Sequence, residues 1–231
     1  MTPDTLKRAR HATGLTQVEA APRLGVSQPY LAMLERGSRR LPERLARKAA
    51  RLYGLTASVL PPSDPAPDRR RLDPDALVAA LAALDYPGFS HRRRRKNSPR
   101  NPVEVLVAAL AQDSLEARLV EALPWVVLRY PDLDQEWLVR EARLQNLQNR
   151  LGFVVSLACR LAERTGGDER LESLRALEAQ LERSRLARED TLGRKALAPA
   201  ERRWLAEHRS AEALHWNLLT DWSADLLRYD T

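Results

Sequence analysis

A glycine set between two helix-start signals constrains this chain more than any other feature. Thr16 is a good N-cap and Glu19, three residues on, completes a capping box, so a helix is expected from Gln17. That helix should stop at Gly25, whose freedom at positive φ permits a tight turn. Ser27 then caps a second helix, with Pro29 tolerated in its first turn, and Gly37 marks its end. Ala21 is small enough for the two helices to cross closely, and Leu24, Val26, Leu31 and Leu34 are placed to fill the wedge between them. Pro22 departs from this scheme. Inside the first helix it deletes the hydrogen bond to Val18, which costs up to about 3 kcal/mol and should kink the helix.

The composition agrees with helices packed on helices. Apolar residues make up 44% of the 231, enough for a real core, while aromatics are only 5% and Leu, Ala, Arg and Glu abound. No segment alternates with period two for long enough to argue for a sheet. The charge is unevenly spread. Residues 1–60 hold 11 Lys and Arg against 4 Asp and Glu, 61–110 hold 9 against 6, and 111–231 hold 18 against 21. A basic head on a mildly acidic body suits a chain that grips a phosphate backbone by one end.

With its flanks, the segment 15–37 resembles the Cro/cI-like (XRE) family of helix-turn-helix regulators. The family's Thr-Gln opening, small residue, turn glycine and later apolar residue fall at Thr16-Gln17, Ala21, Gly25 and Leu31, and Glu35-Arg36-Gly37 looks like its ending. Leu6 to Arg10 before the motif and Leu45 to Leu55 after it also match. The resemblance covers about a quarter of the chain. It implies an all-α, five-helix, lambda-repressor-like DNA-binding domain at 1–60, whose helix Ser27–Arg36 enters the major groove of double-stranded DNA. Base contacts are then expected from Gln28, which can bond bidentately to adenine, and from Tyr30, Ala32 and Met33. Thr16, Gln17, Ser27, Arg36, Arg39, Arg40 and Arg44 are expected at phosphates. A homodimer is expected too, because one such domain reads few base pairs.

Beyond residue 60 the chain reads as a linker and a second helical domain. Prolines at 61, 62, 65 and 67 cannot continue a helix, so 61–72 is expected to be a semi-rigid linker. The C-terminal domain, 73–231, opens with a short helix from Asp73 or Asp75 to Leu84 and carries a basic loop at 91–102. The run 91–96 suits DNA, an acidic partner or plain solubility. Helices are expected over Val103–Gln112 and Leu115–Leu123, with Pro124 opening a third through Arg129. Leu144, Leu147, Leu151, Val154, Ala158 and Leu161 form a heptad-like seam on one helix of about thirty residues, ended by Gly166-Gly167. The seam is either a dimerisation surface or one side of a long helical hairpin whose second helix, from Asp168, carries Leu171, Leu174, Leu177 and Leu181. A last helix, starting near Pro199, is expected to carry Trp204, Leu205, Leu214, Trp216, Leu218, Leu219 and Trp222.

Other chemistries find little footing. His208 and His215 are seven apart, about 10 Å along a helix, where a helical zinc pair wants a spacing of four, so no metal is expected. Cys159, the single cysteine, rules out an internal disulfide and is expected to be buried and inert. The five tryptophans, Trp125, Trp137, Trp204, Trp216 and Trp222, are read as core. No nucleophile elbow, phosphate-binding loop or dinucleotide fingerprint appears, so neither catalytic residues nor a cofactor are expected. Without an apolar run of about 18 residues, a soluble, cytoplasmic, bacterial or phage-like protein is expected, with no membrane partner. The functional expectation is a transcriptional repressor. The alternative is an antitoxin-like protein whose residues 103–231 bind a partner protein while the head autoregulates its operon.

Overall fold

The computed structural model describes residues 1–62, 72–92, 100–166, 168–194, 196–227 and 229. Most of the expected linker and of the basic run 91–96 lie outside the described residues. These residues fall into two compact units, one of residues 1–62 with 100–101, the other of 72–92 and those from 102 onward.

The first unit holds α1 (Pro3–Ala12), α2 (Gln17–Leu24), α3 (Gln28–Glu35), α4 (Glu43–Leu52) and a 3₁₀ turn at Ala57–Val59. Both expected caps form. Thr16 and Glu19 make the reciprocal capping box, and the Ser27 hydroxyl accepts from the Tyr30 N–H. Gly25 sits at φ 77°, and the Val26 N–H reaches back to the Ala21 carbonyl at 3.0 Å, closing α2 in a Schellman turn. Lys48 of α4 donates to the Leu24 carbonyl at 2.8 Å, so one more orphan acceptor of that helix end is satisfied. Leu6, Leu24, Leu31 and Leu34 are buried around Ala20, Ala21 and Ala49, whose small side chains let α1 to α4 approach closely. Each buried leucine contributes about 1.5–3 kcal/mol. α2 runs unbroken through Pro22, whose ring faces solvent. Asn101 is buried in this unit and donates to the Leu60 carbonyl at 2.6 Å.

The second unit is built around α9 (Gln148–Thr165), which packs against α7 (Ala117–Arg129), α8 (Gln135–Leu144), α10 (Asp168–Glu182) and α12 (Ala211–His215). α5 (Pro74–Ala83), capped by Asp73, and α6 (Pro102–Leu110) precede them, and α11 (Pro199–His208) lies between α10 and α12 in sequence. α9 and α10 form the long hairpin. Buried Arg150 of α9 grips Asp190 through two bonds of 2.8 and 2.9 Å and donates to the carbonyls of Leu110 and Gln112. Cys159 is buried, and burial pushes its thiol up to about 12, away from thiolate chemistry. Trp137 and Trp216 are buried, Trp125 and Trp222 half-buried, and Trp204 exposed and stacked on His208. Core packing therefore accounts for some of the tryptophans, but not for Trp204.

Three expectations here are overturned. The seam does not lie on one helix. Asn146 adopts φ 56° and ends α8 in a Schellman turn, with the Leu147 N–H on the Ala142 carbonyl at 2.8 Å, leaving Leu144 65% exposed. Leu147 is buried at the N-cap of α9, and the remaining seam residues are buried within that helix, where 14 of 18 residues are buried. A helix covered on nearly all sides is core, so the seam offers no dimerisation surface. Pro124 opens no helix either; it is buried inside α7, where Leu119, Val120, Leu123, Val126 and Val127 are buried on both sides of it. Their combined burial outweighs the loss from one proline. The last expected helix breaks into α11 and α12, because Ser210 caps a new helix and Asn217, at φ 53°, ends it. Leu218–Leu219 then pairs in parallel with Asp190–Thr191, a short sheet that no sequence alternation signals. No described helix is long and apolar enough to cross a membrane.

Candidate nucleic-acid interface

The helix that would meet DNA is sided by its own packing. Successive residues of α3 are 100° apart, and burial of Leu31, Leu34 and Glu35 turns Pro29, Ala32, Met33 and Arg36 to the opposite face, with Gln28 at its edge. Pro29 and Arg36 are exposed, while Gln28, Ala32 and Met33 are half-buried. Tyr30 lies at the other edge and packs half-buried against the core of its unit, away from Ala32 and Met33. Four apolar or amide side chains thus line one strip of the helix, with a guanidinium at its end.

A chain of hydrogen bonds fixes Gln28. The Arg10 guanidinium holds the Glu35 carboxylate through two bonds of 2.7 and 3.0 Å, and both residues are buried. Arg10 also donates to the Leu15 carbonyl at 2.8 Å, which ties the pair to the loop before α2. The Gln17 amide donates to Glu35 at 2.8 Å, and the Gln28 amide donates to the Gln17 oxygen at 2.8 Å. Burial alone would push the Glu35 carboxyl up, but the bonds from Arg10 and Gln17 hold it below the usual carboxylate range. An ionised carboxylate can only accept, so Gln17 must turn its NH₂ to Glu35 and its oxygen to Gln28. Gln28 must then spend one N–H on Gln17, keeping one N–H and its oxygen for a ligand. That donor–acceptor pair is what the N7 and N6 edge of adenine requires.

The residues expected at phosphates divide. Thr16 is exposed, yet its backbone N–H and its hydroxyl both donate to the Glu19 carboxylate, at 2.8 and 2.7 Å. Gln17 is engaged at both ends of its amide, between Glu35 and Gln28. Ser27 uses its oxygen as an acceptor and keeps its hydroxyl proton. Arg36 spends its Nε on the Ala32 carbonyl at 3.2 Å, with the guanidinium tip left over. Arg39, Arg40 and Arg44 are exposed and make no hydrogen bond or ion pair among the described residues.

Arg10 and Glu35, which hold Gln17 and through it Gln28, carry no expectation from the sequence. Each stands one step beyond a buried pair, Arg10 after Leu6 and Ala9, and Glu35 after Leu31 and Leu34. A charge on the apolar side of each of two helices, opposite in sign, was the available signal. Pro29, exposed on the same face as Ala32 and Met33, is expected from the sequence only as a helix starter.

Comparison with known proteins agrees with this geometry. Residues 4–61 match the family described as a helix-turn-helix domain. No curated protein and no solved structure matches the chain. The first unit, with its capped α2, its turn at Gly25 and its sided α3, is a helix-turn-helix domain of the XRE/Cro-like kind, the mark of a DNA-binding regulator.

Proposed function

We propose that this protein is a sequence-specific repressor that binds double-stranded operator DNA as a homodimer, α3 of each copy lying in the major groove. The observation that carries the reading is Gln28, presented at the head of α3 with its hydrogen-bonding sense set by the buried Arg10–Glu35 pair. Adenine is the base that this amide suits, and Pro29, Ala32 and Met33 offer apolar contact to thymine methyl groups on the adjoining bases. Ser27, Arg36, Arg39, Arg40 and Arg44 supply donors and charge for the backbone, and Gln17 holds Gln28. Two half-sites answer the need for specificity, since one recognition helix reads few base pairs.

Selection of full-length protein on a pool of random duplexes tests the reading. An enriched motif with two half-sites about one helical turn apart, each containing an adenine, is the expected result. Gln28→Ala should cost about 1–3 kcal/mol on that motif and little on duplexes that lack the adenine. The motif placed over a reporter promoter should lower its output when the protein is present. A pool with no enriched sequence would sink the reading. The antitoxin-like alternative keeps the same head and adds a partner protein for the second unit.

A further inference from the structure

We propose that the groove between α8 and α10 in the second unit is a docking site for an acidic amphipathic helix of a partner protein. α8 contributes Glu136, Val139, Arg140, Arg143 and Leu144, α10 contributes Ala176, Ala179 and Gln180, and Arg183 follows in the turn that leaves α10. Both sets follow the three–four spacing of a single helix face, so two ridges bound a trough of about 930 Å³. Its length, from Glu136 to Leu144, is about 12 Å, or two helical turns.

Its chemistry selects the occupant. Ala176 and Ala179 are exposed apolar surface beside the buried Val139, and the two alanines leave room for a helix backbone to come close. Leu144 is 65% exposed at one end, an apolar side chain open to a partner. Arginines dominate the charge, with Arg140, Arg143 and Arg183 against Glu136 alone. Arg183 makes no hydrogen bond or ion pair among the described residues, and Arg140 has only a 3.8 Å approach to Glu141. Arg143 is tethered to the Ser184 hydroxyl at 3.1 Å, which holds its guanidinium at the edge of the trough. Across a twofold axis a second copy would bring three more arginines against these three, so charge opposes self-association through this face. A helix with an apolar stripe flanked by Asp or Glu meets both the floor and the edge.

The test uses the full-length protein and a displayed library of random 14-residue peptides. Selected peptides should carry Leu, Ile or Phe at three–four spacing beside Asp or Glu. The double variant Arg140→Glu/Arg183→Glu, at exposed positions, should bind them at least tenfold more weakly. Changing the peptide's acidic residues to Lys should restore binding to that variant, and the variant's affinity for the selected operator should stay unchanged. Failure to enrich any peptide overturns the proposal, as does enrichment of basic peptides or equal binding by the double variant. So does disulfide pairing of Leu144→Cys copies with one another at micromolar concentration, which would give the face to a second copy.

Discussion

At the scale of the residue, the proposed recognition surface is governed by groups that need never touch DNA. Arg10 and Glu35 are buried, and their pairing decides which end of the Gln17 amide faces Gln28. Gln17→Leu separates two roles that one residue has in this scheme. It cuts the chain while leaving Glu35 paired with Arg10, so Gln28 becomes free to rotate. Discrimination for adenine over other bases should fall by about 1 kcal/mol, the net worth of one hydrogen bond. Titrations on matched and mismatched duplexes check this, and an equal loss on both would make Gln17 a phosphate contact instead. Glu35→Gln is a harsher change, because it leaves a buried guanidinium without its counter-charge, and should cost about 3–5 kcal/mol of stability. The wild type carries a matching pH signature. Because the Glu35 pKa is depressed on folding, its contribution is complete above the unfolded value of about 4.3 and is lost as pH falls through the lower folded value. The caps and the turn glycine were legible because each acts within a few residues of itself in sequence. The Arg10–Glu35 pair was not, because 25 residues separate its members and neither position is unusual alone.

At the scale of the element, what could be read from the sequence depended on whether a local signal competed with tertiary burial. Gly25 and Ser27 act locally, and the structure keeps both. Pro124 was read as a boundary, and packing on both of its sides overrode it. The spacing of leucines runs straight through Asn146 and so hides it, although Asn is a natural left-handed helix stop. Pro22 is the same lesson in a smaller helix. Its ring is exposed, so nothing in the core depends on it, while α2 still lacks the bond to the Val18 carbonyl. Pro22→Ala should therefore stabilise the protein, by up to about 3 kcal/mol, and raise the denaturant midpoint in an equilibrium unfolding series. A fall in the midpoint would mean that Pro22 serves a packing role. Gly152 has the opposite sign. A Cβ there would stand 2.4 Å from the Trp216 ring, which is fully buried and fixed by its bond to Ser156 at 2.7 Å. With the ring unable to retreat, Gly152→Ala should cost about 1–3 kcal/mol, read from tryptophan fluorescence in urea.

At the scale of the whole molecule, the distribution of charge makes one quantitative demand. The basic excess is concentrated in residues 1–60, while residues 111–231 carry a slight acidic excess. Attraction to the phosphate backbone should therefore come from the head, and it should appear as counterion release on binding. If each head of a dimer neutralises four to six phosphates, about 8–12 in total, log affinity should fall with log salt at a slope of about −7 to −11. The same argument predicts how the slope responds to mutation. Arg39→Ala, Arg40→Ala and Arg44→Ala remove exposed guanidiniums outside the strip that holds Gln28, one from each head of the dimer, so each should make the slope shallower by about two and weaken all sequences alike. Gln28→Ala should leave the slope untouched and act only on the preferred motif, since an amide releases no counterion. Fluorescence anisotropy over a salt series, on the motif and on a scrambled duplex, separates the two classes. A wild-type slope near zero would remove backbone binding from the head, and arginine variants that keep the wild-type slope would place those residues away from the phosphates.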